Sequence, residues 1–404
     1  MAEVRPNGID VLAFRGLSRG LEAEATKRLK SLVELESPCK DVELLGRLRD
    51  DLKARWQMLG LEVRIIKGPM GDHLVGSLER GGGEPDGPDE PLGHLLVVGH
   101  YDTVWGEGET VRQPFRVEGT YAYGPGVFDM KGGLVALEVA LSLLARAGAK
   151  PAQDLRVVCV ADEEVSSPDG RHTVLAEAEG AAAVLGLEPP HSDGSLKNGR
   201  RGVARVRLVV KGRESHAGLD AAKGVSAVDE LVDQLLALRT TLPKTRDAAW
   251  NVGIVTGGTR ANVVAGTAEA EIGLRFSTPA TEAALLDALH ALRPVREGAE
   301  VDVEILSRRP PWPVGRDVSL ANHVTGLAKS LGEEISARPA DGAGDTNMTG
   351  ALGLPTLDGL GPRGSGAHAR GEAVELPSVL SRGVLLASLI ARPLPLPNSV
   401  KGGG

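Results

Sequence analysis

Five short segments of the chain carry side chains of the kinds that bind cations and move protons. His100-Tyr101-Asp102 closes the apolar run HLLVVGH. In an extended chain, residues i and i+2 point to one face, and a metal-bound imidazole needs an acceptor on its second ring nitrogen, which Asp102 is placed to supply. A polar loop after a strand is the plain alternative. In Tyr123-Gly124-Pro125-Gly126-Val127-Phe128-Asp129-Met130-Lys131-Gly132-Gly133 a carboxylate sits on a Gly/Pro turn just ahead of an apolar helix. There Asp129 could bridge two cations, or it could cap the helix, a place aspartate also favours. Ala161-Asp162-Glu163-Glu164 follows the strand-like LRVVCVA. Three acids at the end of a buried strand are costly unless cations or donors face them, and open α/β sheets bind ligands at the carboxyl ends of their strands. A solvated acidic loop is the ordinary reading of such a triplet alone. Glu188, after AAAVLGL, and His368, at the end of the Gly-rich 359–368, each add one ligand-type side chain.

The elements that must position these residues alternate in type. Apolar strands at His94–His100 and 155–161 flank a helix at 131–147, which predicts a mostly parallel α/β sheet with helices on both faces. Residues 10–60 add helices, with Leu21, Ala25, Leu29, Leu32 and Val33 at helical spacing. The run 81–91, GGGEPDGPDEP, reads as a surface loop. From about Gly199 the pattern becomes strand 203–210, helix 225–240, strands 250–256 and Thr267–Phe276, helix 282–292 and strand 301–306. That β-α-β-β-α-β order is the split ferredoxin-like arrangement. The reading is therefore a discontinuous α/β catalytic domain, residues 1–199 and 312–404, carrying an inserted ferredoxin-like α+β domain, residues 200–311.

Composition narrows the class. A chain of 404 residues has room for two or three domains, and 42% hydrophobic with 25% charged residues is globular usage. Forty-six basic against 54 acidic residues, a net charge of −8, argue against a nucleic-acid partner or a polybasic membrane anchor. Cys39 and Cys159 are the sole cysteines and form no CxxC pair, which removes disulfide frameworks and thiolate metal sites. The start MAEVRPNGID has no apolar stretch behind its charge, and apolar runs such as 384–391 are less than half a membrane span, so a soluble cytoplasmic protein is expected. No Gly-Lys pair occurs and no histidine is followed by glutamate, so P-loop and HExxH chemistry are absent. Gly16-Leu17-Ser18-Arg19-Gly20 matches GxSxG but follows no buried strand, so it is not a nucleophile elbow.

Taken together, HxD, GPGxxDxKGG, DEE, LEP and GAH resemble, in order and spacing, the zinc aminoacylase and glutamate carboxypeptidase family of co-catalytic di-metal peptidases, nearest its bacterial glutamate carboxypeptidases. The 342–347 GAGDTN with the following ALGLPTLDGLGP is similar to the family's C-terminal block, and 212–218 GRESHAG to its lid motif GxxSHAG. The likeness runs from about residue 70 to 380. It implies that Asp129 bridges two metal ions, that His100 and Glu188 complete one site and His368 and Glu164 the other, that Glu163 is the general base, and that Asp102 orients His100. It implies two Zn²⁺ per chain, with Co²⁺ or Mn²⁺ as substitutes. Charge is compatible: two divalent cations balance Asp129, Glu164, Glu188 and a bridging hydroxide.

The same resemblance makes the insert a lid and a homodimer interface. It implies that His216 polarises the oxyanion, from its own chain or a neighbour, that Arg275 binds a substrate carboxylate, and that Asn262 helps hold that carboxylate or the oxyanion. Along Thr267–Phe276, Arg275 falls on the polar face with Glu269 and Glu271, where a cross-strand charge ladder is the alternative. The expected activity is amide hydrolysis of a small peptide or N-acyl amino acid, releasing a C-terminal amino acid of the glutamate type or removing an acyl group. Biosynthetic deacylation of acetylornithine- or succinyl-diaminopimelate-like substrates is the alternative. A non-enzymatic binding protein on the same fold would have lost ligands or base, and none is missing.

Overall fold

The computed structural model describes residues 11–80, 93–243, 245–314 and 318–394. The expected surface loop 81–91 lies wholly in the undescribed 81–92. The chain divides into two units.

In the first unit, helices α1 (Val11–Ser18), α2 (Glu22–Glu34) and α3 (Val42–Met58) precede strands β1 (Glu62–Ile66), β2 (His73–Leu78) and β3 (His94–His100). Asp41 caps α3 by accepting from Leu44 N at 3.0 Å. Helix α4 (Gly132–Ala147), β4 (Leu155–Val160), α5 (Gly170–Ala178) and β5 (Ala181–Gly186) follow. Ser18 of the GxSxG match ends α1, and its hydroxyl bonds back to Arg15 O.

The second unit holds β6 (Gly202–Lys211), α6 (Ala227–Thr241), β7 (Ala248–Gly257), β8 (Thr267–Phe276), α7 (Pro279–His290) and β9 (Glu300–Arg309). Its antiparallel sheet runs β7-β8-β6-β9. One face of β8, Ala268, Ala270, Ile272, Leu274 and Phe276, is buried with Val206 and Leu208 of β6 and Leu231 of α6, so this unit has a core of its own. The unit ends at Pro313 rather than 311 and takes back Asp341–Ala343. Arg200 explains both: its backbone pairs with Trp312 in two 2.9 Å bonds, and its Nη1 donates to Gly342 O at 2.9 Å.

The chain then returns to the first unit with α8 (Val318–Ser330), β10 (Thr356–Leu357) and α9 (Leu376–Ile390). The central sheet has the order β1-β2-β4-β3-β5-β10, parallel from β4 to β10 and antiparallel at β1 and β2. Every residue of β3 is buried, as its unbroken apolar run requires of a central parallel strand. Alternate residues feed opposite cores. Leu95 and Val97 join α2, α3, α4 and α9, while Leu96 and Val98 join Val174 and Ala178 of α5. Because β3, β4 and β5 are parallel, the residues just past their ends (102, 162–164 and 188) emerge at one sheet edge.

Candidate metal centre

Three of the ligand-type segments reach that edge directly. His100, the last residue of β3, is 1% exposed. Its Nδ1 lies 3.0 Å from the Asp102 carbonyl and 3.3 Å from Asp102 Oδ1. The Asp102 carboxylate is fully buried and also accepts from Glu163 N at 3.1 Å and Glu164 N at 3.0 Å. One aspartate thus fixes the imidazole after β3 and the acidic turn after β4.

The Asp129 turn arrives from the side. Asp129 does not cap α4: Lys131 occupies that position without a side-chain bond. The Asp129–Met130 peptide is cis. Asp129 Oδ1 lies 3.3 Å from His100 Nε2 and Oδ2 lies 3.3 Å from His368 Nε2. Each imidazole has a further carboxylate, Glu188 Oε1 at 3.8 Å from His100 and Glu164 Oε2 at 3.2 Å from His368. Ligand atoms of His100, Glu163 and Glu188 lie within 4.8 Å of one another, as do those of His100, Asp129 and Glu164. The KGG after Asp129 has a packing reason: a Cβ on Gly133 would come 2.3 Å from Leu187 O, so only glycine lets α4 approach the chain that carries Glu188.

The donor set fits divalent cations. Ligands about 2.0–2.1 Å from a tetrahedral zinc stand about 3.4 Å apart, close to most of the separations here. Glu164 Oε1 is buried with no hydrogen-bond partner, an orphan acceptor that a cation would satisfy. The field is strongly acidic. Hydrogen bonds to Asp129 and then Glu164 push His368 up to about 10. Burial alone would lower His100, but Asp102 and Asp129 outweigh it and raise it well above the usual imidazole range. Burial would raise Asp129, yet the two imidazoles hold it below the usual carboxylate range. A site that draws protons onto two imidazoles will draw multivalent cations, which displace those protons.

Two contributors carry no clear sequence signal. Glu372, 2% exposed, accepts from Trp105 Nε1, Gly126 N and Phe128 N at 2.8 Å each and from Asp129 N at 2.9 Å. It ties the Asp129 turn to the loop bearing His368. Pairing of Tyr121–Tyr123 with Ala373–Glu375 brings those loops together, and His368 itself takes a left-handed φ of 61°. Asp345 is buried and accepts from the Ser167 hydroxyl, bracing the segment after Glu164.

His216, Asn262 and Arg275 belong to the second unit. His216 is exposed, and its Nδ1 accepts from Gly218 N and Leu219 N at 3.1 Å each. An Nδ1 that accepts leaves the ring proton of the neutral imidazole on Nε2. The exposed Asn262 accepts from Ala217 N through its carbonyl at 3.0 Å. A charge ladder does cross the sheet, with Arg205 and Arg207 on Glu271 at 2.8 and 3.3 Å, but Arg275 is not in it. Among the described residues no carboxylate lies within 4.0 Å of Arg275, whose guanidinium donates to Leu274 O at 3.2 Å. Burial and then Arg201 lower its pKa.

Comparison with known proteins places this geometry in context. Residues 96–392 match the model of peptidase family M20/M25/M40. The chain is 30% identical over 373 residues to carboxypeptidase G2 of Pseudomonas sp. (strain RS-16), covering 90% of this chain and 88% of that protein. It is 30% identical over 301 residues to acetylornithine deacetylase of Yersinia pseudotuberculosis, covering 69% and 74%. Among solved structures, an M20 family metallo-carboxypeptidase from Sulfolobus solfataricus superposes with a TM-score of 0.70 at 14% identity, covering 91% and 98%. Aminopeptidase PepT from Bacillus cereus does so with a TM-score of 0.69 at 19% identity, covering 92% and 98%. These likenesses to solved structures concern the fold.

Proposed function

The chain belongs to peptidase family M20/M25/M40 and is a metal-dependent peptidase or amidohydrolase, and on that premise we propose that it binds two Zn²⁺ per chain and hydrolyses the amide bond of a small substrate bearing a free carboxylate. One observation carries the reading: the two oxygens of Asp129 face two different imidazoles, with Glu188 beside one and Glu164 beside the other. In this assignment His100, Asp129 and Glu188 would hold one ion and His368, Asp129 and Glu164 the other, with Co²⁺ or Mn²⁺ as substitutes. Such a pair, when bound, polarises a carbonyl and brings the pKa of water towards ~7.

The chain's own groups do the rest. Glu163, grouped with His100 and Glu188, accepts the proton of the attacking water and returns it to the leaving amine. Asp102 keeps His100 oriented. His216 offers its Nε2–H to the developing oxyanion, and Arg275 and Asn262 receive the substrate carboxylate; the lack of a carboxylate partner on Arg275 among the described residues supports this, since a guanidinium binds a carboxylate in bidentate fashion.

The substrate reading is release of a C-terminal amino acid of the glutamate type, or deacylation of an N-acyl amino acid. A panel of N-acyl and N-aryl amino acids, with acetylornithine and succinyl-diaminopimelate included, decides between them. Exhaustive chelation is expected to abolish turnover on any of them, and activity that survives it overturns the metal reading. Glu163→Gln is expected to keep its metal while kcat falls ~10²–10⁴-fold. Near-normal turnover in that variant removes Glu163 from the role.

We place the enzyme in the cytoplasm, in keeping with two unpaired cysteines, and among the described residues no helix is long and apolar enough to cross a membrane. We also read it as a homodimer through the second unit. There β7 is an edge strand exposing Ile254 and Val255, and α6 exposes Val232 and Leu236 one turn apart. Sedimentation should report a dimer that Val232→Asp with Leu236→Asp dissociates.

A further inference from the structure

A polar cavity of about 220 Å³ lies in the first unit between α9, residues 193–194 and residues 332–335. Pockets for drug-sized ligands run ~300–1,000 Å³, so this one suits a single small molecule. Its floor is formed by two side chains one turn apart on α9, Ser378 and Arg382, each 2% exposed. Arg382 Nη2 donates to Gly194 O at 2.7 Å, but its Nη1 is buried without a partner. Ser378 Oγ accepts from Arg363 N at 2.7 Å, and among the described residues its own O–H has no acceptor. A buried guanidinium N–H and a buried hydroxyl therefore point to an acceptor that the chain does not provide.

The rim has the opposite character. Arg363 is held by Glu375 at 3.0 Å and Asp193 by Arg338 at 3.3 Å, so both charges are already answered. Glu333 and Glu334, half-buried and exposed, line the cavity with no ion pair among the described residues. The uncommitted charge is one cation at the floor and two anions at the mouth. Burial pulls Arg382 down to about 10, with Glu333 offsetting part of that and Arg363 adding to it, so Glu333 is felt at the floor without closing an ion pair with the guanidinium.

We propose that this cavity binds a free α-amino acid, its carboxylate on Arg382 and Ser378 and its ammonium towards Glu333 and Glu334. A simple anion would meet the acidic rim, and a simple cation the buried guanidinium. Only a ligand with both charges, a short distance apart, answers both ends. None of the cavity's lining residues belongs to the metal centre, and the proposal does not depend on that centre's assignment.

The test titrates the full-length, metal-loaded protein with L-alanine, acetate, ethylammonium and inorganic phosphate by ligand-detected NMR. L-Alanine is expected to bind at least about tenfold more tightly than the other probes, as the loss of one charge-assisted contact implies. Arg382→Gln should abolish its binding. Should that variant fold poorly, Ser378→Ala and the double variant Glu333→Gln with Glu334→Gln carry the test, each expected to weaken L-alanine about five- to tenfold. Absence of L-alanine binding overturns the proposal. So does binding that these variants leave unchanged, which would place the amino acid elsewhere, or acetate or phosphate binding as tightly as L-alanine.

Discussion

Glu372 shows what a single buried carboxylate can organise. Four donors converge on it, three of them backbone N–H groups of the turn that presents Asp129, so the turn is held from outside rather than by its own sequence. Burial raises its pKa despite these donors. Glu372→Gln keeps the shape but turns an NH₂ group towards N–H donors. Metal affinity is expected to fall by about 10–100-fold, the range for groups that orient ligands, measured by chelator competition on the folded variant. Unchanged affinity would make Glu372 a packing residue. The contrast with the ligand-type residues is instructive. His100, Glu163, Glu164 and Glu188 can be picked out because each ends or follows a buried strand, where a polar side chain is costly unless it binds something. Glu372 bonds to backbone, which leaves no mark in residue type or spacing. For Asp129 the sequence leaves two roles, capping a helix or facing cations, and its geometry answers with two imidazoles and no cap.

Elements are legible where burial leaves a period. The unbroken HLLVVGH spells a central strand, and the alternation along β8 separates its core face from Arg275. The strands at Tyr121–Tyr123 and Ala373–Glu375 leave no such trace, being three residues long and defined by pairing across some 250 positions. His94, at the start of β3, carries a testable consequence. It is buried, its Nε2 donates to Glu177 O at 2.7 Å, and burial lowers its pKa below the usual imidazole value. Below about pH 6.5 the unfolded chain takes up a proton there that the folded chain refuses, so stability falls on acidification through that window. His94→Gln, which can donate the same bond, is expected to lose part of the drop in urea midpoint between pH 7 and pH 5. An unaltered drop would assign the pH dependence to other groups.

Across the whole molecule, two units each close their own core. The β-α-β-β-α-β run announces the second by pattern alone, whereas the return of Asp341–Ala343 to it depends on one arginine and cannot be read from any period. Since Val206, Leu208, Ile272, Leu274 and Phe276 bury one another inside that unit, residues 200–313 expressed alone are expected to unfold in one cooperative thermal transition. A broad, non-cooperative melt would mean the insert borrows stability from its host. The central claim is that side chains from five separated segments hold a pair of ions. Anomalous diffraction from zinc-loaded crystals asks this directly. Two peaks are expected, one against His100 and Glu188 and one against His368 and Glu164, with Asp129 touching both. Zinc found elsewhere, or no zinc at these side chains, contradicts the account.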